Sequence, residues 1–145
     1  MPKLHFSGEI VHYPNSTSIP LIYLNMISKP SELVGQLFSL HGRTAIVTGA
    51  SRGIGWALAD GFARAGGSVL ALARSKQPEQ PFFNGAEYRC CDVLDYRGFD
   101  LCRDEVIERW GRVDVLVNAA GISLPDSSLE DFNQTLSTNL RAPYL

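Results

Sequence analysis

The chain has 145 residues, 45% of them hydrophobic and 19% charged, with a net charge of −2 at pH 7. That composition suits one globular domain with a real core, and its slight acidity gives no footprint for a nucleic-acid partner. No apolar run approaches the ~20 residues of a membrane span, so no membrane partner is expected.

Residues 1–36 carry no sustained period, and Pro2, Pro14, Pro20 and Pro30 interrupt every helical pattern there. They read as an irregular N-terminal extension. "IPLIYLNMI" from Ile19 is too short for a span and lacks the basic start of a signal peptide.

From residue 37 the pattern changes. "RTAIVTG" is a short apolar run ending in glycine, and predicts a strand buried on both faces. Ile54, Leu58 and Phe62, with Ala57, Gly61 and Ala65 beside them, predict the inner face of a helix. Gly66 and Gly67 stop it. "SVLALA" is a second strand, the polar stretch from Arg74 to Gly85 a loop, and "AEYRCCDV" a third strand. Phe99, Cys102, Val106 and Trp110 mark a second helical face that stops at Gly111. "VDVLVNAAG" is a fourth strand, and Ser127 with Glu130 forms a capping box for a last helix from Leu129. Strands alternating with helices predict an α/β fold with a parallel sheet.

The three cysteines, Cys90, Cys91 and Cys102, have neither metal-ligand spacing nor an even count, so they read as reduced thiols of a cytoplasmic protein without a metal. Asn15 and Asn133 each begin a glycosylation-type triplet of a kind common by chance.

"TGASRGIG", Thr48 to Gly55, stands between the first strand and the first helix. A chain leaving a buried strand must turn sharply, which Gly49 permits. Gly53 leaves room for a pyrophosphate to approach the backbone, and Gly55 lets the helix lie close on the sheet. The helix start then offers free N–H groups and a positive dipole end to phosphates. The cofactor-binding candidates here are Gly49, Ser51, Arg52, Gly53, Ile54 and Gly55.

With "NAAG" at Asn118 to Gly121, the turn resembles the classical short-chain dehydrogenase/reductase family over roughly Phe38 to Leu145. The resemblance implies the N-terminal half of a doubly wound Rossmann sheet over 37–145. It implies that Asp92 and Val93 contact the adenine ring, and that Asn118, Ala119, Ala120 and Gly121 bound the ribose. Ala119 replaces the second asparagine of the usual motif. Asn139, in "STNLRAPYL", matches the asparagine of the family's Asn-Ser-Tyr-Lys tetrad. Pro143 has no N–H for the Asn139 carbonyl four residues back, which leaves it for a water of the family's proton relay.

The cofactor expected is NADP(H) rather than NAD(H). An NAD site usually ends its second strand with an acidic residue, whereas here Ala73 is followed by Arg74 and Ser75, with Arg52 in the glycine turn. An arginine pairs with a 2′-phosphate that a carboxylate repels.

The family's Tyr-x-x-x-Lys pair is not found within these residues: none of the five tyrosines has a lysine four positions on. The chain therefore reads as the N-terminal part of a reductase that moves hydride between NADP(H) and a small carbonyl or alcohol. In full-length form it is expected to be a homo-oligomer. A non-catalytic module that binds nucleotide or pairs with another subunit stands as the alternative. A methyltransferase is disfavoured by Ala73, and a P-loop enzyme by the lack of Gly-Lys-Ser/Thr after the glycines.

Overall fold

In the computed structural model, residues 10–11, 19–20, 34–35, 37–83, 85–124 and 128–144 are described. The chain divides into two units, Met1–Ser39 and Leu40–Leu145. In the first, β1 (Ile10–Val11) pairs antiparallel with β2 (Ile19–Pro20), Ile10 opposite Pro20. Most of the segment expected to be irregular lies outside the described residues.

The second unit alternates strands and helices. β3 (Thr44–Thr48) leads through the glycine turn into α1 (Gly53–Arg64), then β4 (Ser68–Ala73) and β5 (Ala86–Cys90). After these come α2 (Tyr96–Trp110), β6 (Val115–Asn118) and α3 (Leu129–Leu136). A π-helical turn (Ser137–Arg141) and α4 (Ala142–Tyr144) follow.

The four longer strands form one parallel sheet in the order β5-β4-β3-β6. The register brings Thr48 level with Leu72 and with Asn118, so the strand ends line one rim. Such a rim is where open α/β sheets place ligands.

Every residue of β3 is buried, as its continuous apolar run predicted. Its side chains alternate between two cores. On one face Ala45 and Val47 pack with Ala59 and Ala63 of α1 and with Val69 and Ala71. On the other, Ile46 packs with Leu70, Leu72, Cys91, Cys102 and Val106, under α2. Helices thus cover both faces, and the architecture is the Rossmann-like α/β fold that was expected.

Several expectations change in detail. The buried residues of α1 are Gly55, Ala59, Asp60 and Ala63, whereas Ile54 is 78% exposed and Leu58 39%. The inner face is rotated by about one position from the one the large apolar residues marked. Small side chains sit inward because α1 lies too close to the strand ends for larger ones: a Cβ on Gly55 would stand 2.4 Å from the Gly49 carbonyl oxygen.

The third and fourth strands are shorter than the runs that predicted them. Asp92 and Val93 follow β5 in its turn rather than end it, and Asp92 accepts a hydrogen bond from Leu94 N–H at 2.9 Å. β6 pairs with β3 only, and its Leu116 is 50% exposed. Ser127 lies outside the described residues; the cap of α3 is Ser128, which accepts from Asp131 N–H at 3.1 Å. Gly111 closes α2 in the left-handed conformation, as its position predicted. All three cysteines are free thiols.

Candidate functional site

The rim formed by the C-terminal strand ends opens into a cleft of about 690 Å³. Twelve of the expected cofactor residues line it: Gly49, Ser51, Arg52, Gly53, Ile54, Gly55, Arg74, Ser75, Val93, Ala119, Ala120 and Gly121. Asp92 and Asn118 do not. Asn118 instead borders a smaller hollow of about 140 Å³ beside α2, shared with Tyr96, Phe99 and Pro143.

The floor is main chain held at close quarters. Gly49 has φ +67°, and a Cβ there would lie 2.5 Å from the Ala119 carbonyl oxygen. The glycine turn and the "NAAG" loop therefore touch backbone to backbone, which only glycine permits. Thr48 joins the same two segments. Its Oγ1 donates to the Val117 carbonyl at 3.3 Å and accepts from Ala119 and Ala120 N–H, each at 3.2 Å. Ala50 N–H donates to the Leu72 carbonyl at 3.0 Å, fixing the turn to β4.

Gly53 differs from Gly49. Its φ is +59°, yet a Cβ there would meet nothing within 4 Å. It faces open space at the start of α1. No side chain caps that helix, whereas Asp95 caps α2 and Ser128 caps α3. The first N–H groups of α1 and its dipole are thus left to an anion in the cleft. A phosphate fits this cradle: room over Gly53, uncapped donors, and the cations Arg52 and Arg74 on the wall.

The outer wall is the segment between β4 and β5, which is firmly tied. Glu79 N–H donates to the Ser51 carbonyl at 2.9 Å, and Trp56 Nε1–H to the Gln80 carbonyl at 3.1 Å. Phe82 stacks between Trp56 and Tyr88, with centroid separations of 6.0 and 6.2 Å. Tyr88 O–H donates to the Ser75 carbonyl at 2.8 Å, and burial raises its pKa. Beneath, the Asp60 carboxylate accepts from Arg64 and from Phe83 N–H at 2.7 Å, and those two bonds hold its pKa below the usual carboxylate value.

On the far side, Asn139 sits in the π-helical turn, with Ala142 N–H bonded to the Ser137 carbonyl. Pro143 has no N–H to close an ordinary turn onto Asn139, and the helix widens where that bond is missing. The Asn139 side chain lies against the loop after β6: Oδ1 accepts from Ile122 N–H and Nδ2 donates to the Ile122 carbonyl, both at 2.9 Å. It clamps the segment that carries Gly121, whose Cβ position would be 3.4 Å from Asn139 Oδ1.

Sequence reasoning missed Glu79, Cys91, Ile122, Ser123, Leu124 and Thr138 in the cleft lining. Glu79 lies in a polar loop without periodicity, which gave no signal for its position. Cys91 adjoins Asp92 and was within reach of the same motif. Burial, with Cys102 next to it, pushes the Cys91 thiol up to about 12. Among the described residues, no group of acidic, histidine or cysteine side chains is placed to hold a metal. No described helix is long and apolar enough to cross a membrane.

A parallel sheet with helices on both faces and a glycine turn at its rim defines a Rossmann-like α/β protein. The chain belongs to the short-chain dehydrogenase family, whose model matches residues 43–145. It is 34% identical over 119 residues to D-threitol dehydrogenase of Mycolicibacterium smegmatis, covering 74% of this chain and 46% of that protein. It is 40% identical over 119 residues to gluconate 5-dehydrogenase of Gluconobacter oxydans, with the same coverage. The fold also matches a crystal structure from Beutenbergia cavernae, a proposed NAD(P)-dependent gluconate 5-dehydrogenase with NADP bound at low occupancy. That match has a TM-score of 0.57 and 38% identity, and covers 74% of this chain and 47% of the other. The chain thus spans less than half the length of these relatives.

Proposed function

We propose that this chain supplies the NADP(H)-binding part of a reductase or dehydrogenase acting on a small carbonyl or alcohol. The observation that carries this reading is the pair of arginines, Arg52 and Arg74, on the wall of a cleft where β4 ends in Ala73 rather than an acid. The names of relatives that act on D-threitol and gluconate support a polyol or sugar-acid substrate.

When bound, the cofactor supplies or accepts hydride at its nicotinamide ring. The N–H groups at the start of α1 and the open face of Gly53 take the pyrophosphate. Arg52, Arg74 and Ser75 take the 2′-phosphate. Val93 borders the adenine, and Ala119, Ala120 and Gly121 border the ribose. Asn139 positions the loop at Ile122 through its side chain, and offers its main-chain carbonyl to a water.

The test is direct titration of NADPH and NADH. A charge-assisted hydrogen bond contributes about 1.5–3 kcal/mol, or roughly ten- to hundredfold in affinity. NADPH is expected to bind tighter by that factor, and Ala73→Asp with Arg74→Leu to reverse the order. Equal or tighter NADH binding by the unaltered chain would refute the cofactor assignment.

A further inference from the structure

Among the described residues that line the cleft, Glu79 is the single carboxylate. Its position is not left to chance. Its N–H is bonded to the Ser51 carbonyl, and the next residue holds Trp56 of α1. Its Oε1 lies 3.6 Å from Arg52 Nη1, an ion pair too long to be a hydrogen bond. Both side chains are largely exposed, 76% for Arg52 and 62% for Glu79, so either is free to swing toward a ligand.

We propose that Glu79 is a specificity-determining residue that restrains the preference for a 2′-phosphorylated ribose, by holding Arg52 and opposing a second negative charge beside it. This rests on the assignment of Arg52 to the 2′-phosphate. A phosphate arriving at Arg52 must displace or tolerate the Glu79 carboxylate, whereas an unphosphorylated ribose meets no such competition. The site therefore discriminates less than its two arginines would alone. The effect is electrostatic, part of it acting through Arg52, so it weakens with salt.

The experiment uses the full chain and two small probes, adenosine 2′,5′-bisphosphate and adenosine 5′-monophosphate, with affinities measured by calorimetry. The quantity read is the ratio of the two affinities. Glu79→Gln is expected to raise that ratio about three- to fivefold at low salt, from the worth of an exposed ion pair. Glu79→Asp, which keeps the charge, should raise it less, and in an Arg52→Ala background the rise on Glu79→Gln should shrink to the part owed to direct repulsion. A merely structural role would move both affinities together and leave the ratio alone. If the unaltered chain prefers the bisphosphate but Glu79→Gln does not raise the ratio, Glu79 has no such role and the cofactor assignment survives. If the unaltered chain shows no preference for the bisphosphate, both fall.

Discussion

Gly49 and Gly53 both carry positive φ, yet their replacement by alanine should have different consequences. A non-glycine residue in the left-handed region costs roughly 1–2 kcal/mol at either site. At Gly49 the new Cβ also stands 2.5 Å from the Ala119 oxygen and 2.6 Å from the Ala119 carbon and Ala120 Cα, all main chain. Neither segment has a side chain that can yield, so overpacking adds about 1–3 kcal/mol. The sum, about 2–5 kcal/mol, is a large share of the 5–15 kcal/mol that holds a domain folded. At roughly 2–4 °C per kcal/mol for a chain of this length, Gly49→Ala should lower the melting temperature by at least about 4 °C. Gly53→Ala meets open space and loses only the conformational part. Its methyl group enters the phosphate cradle, so NADPH affinity should fall about tenfold or more in a chain that still folds. Circular dichroism melts and calorimetric titration of both variants make the comparison. A Gly49→Ala chain that melts no lower than Gly53→Ala, or a Gly53→Ala chain that binds NADPH like the unaltered one, would refute the reasoning.

Three other outcomes are expected. Asp114 ties the start of β3 to that of β6 by accepting from Thr44 N–H at 2.9 Å and pairing with Arg43 and Arg112, and these contacts hold its pKa below 3.8, as with Asp60. A lowered folded pKa gives stability that is fully present above the unfolded value and lost as pH falls through the folded one. Urea midpoints should therefore drop as pH falls below about 3.8, and Asp114→Asn should flatten that dependence; an unchanged slope would contradict it. At pH 8 a thiol reagent should modify exposed Cys90 quickly, but Cys91 and Cys102 only after unfolding, and fast labelling of more than one thiol in the folded chain would contradict their burial. Expressed by themselves, these 145 residues should bind NADPH without oxidising it with any ketone. They hold no Tyr-x-x-x-Lys pair to protonate the alkoxide, and ordinary enzymatic turnover in a ketone assay would overturn this.

The local chemistry of the chain was enough to determine the alternation of strands and helices and the turn between β3 and α1, while the opposite side of the cleft was implied by the family resemblance. β3 and β4 are read from their apolar runs because a strand buried on both faces needs no polar positions. The glycine turn is read because left-handed backbone and contact between two main chains both demand glycine. Arg52 and Arg74 are read from their places in that turn and just after β4, and Asn139 from the resemblance to the short-chain dehydrogenase/reductase family.

Only the tertiary structure decided which side of α1 faces inward. Ile54 and Leu58 mark a face by size, but contact between Gly55 and Gly49 brings the helix so near the sheet that alanines must fill the gap. Asp60 is buried beneath the segment between β4 and β5, a carboxylate that periodicity alone would put in solvent and that survives inside because Arg64 and Phe83 N–H satisfy it. Thr48 looks like the last residue of a strand, and becomes the joint between two loops only when β6 pairs beside β3 at Asn118. Asn139 finds Ile122, and Glu79 finds Ser51 and Arg52, across many residues of intervening chain. Such partners are set by strand order and helix packing, which bring distant segments together and leave no trace in local periodicity.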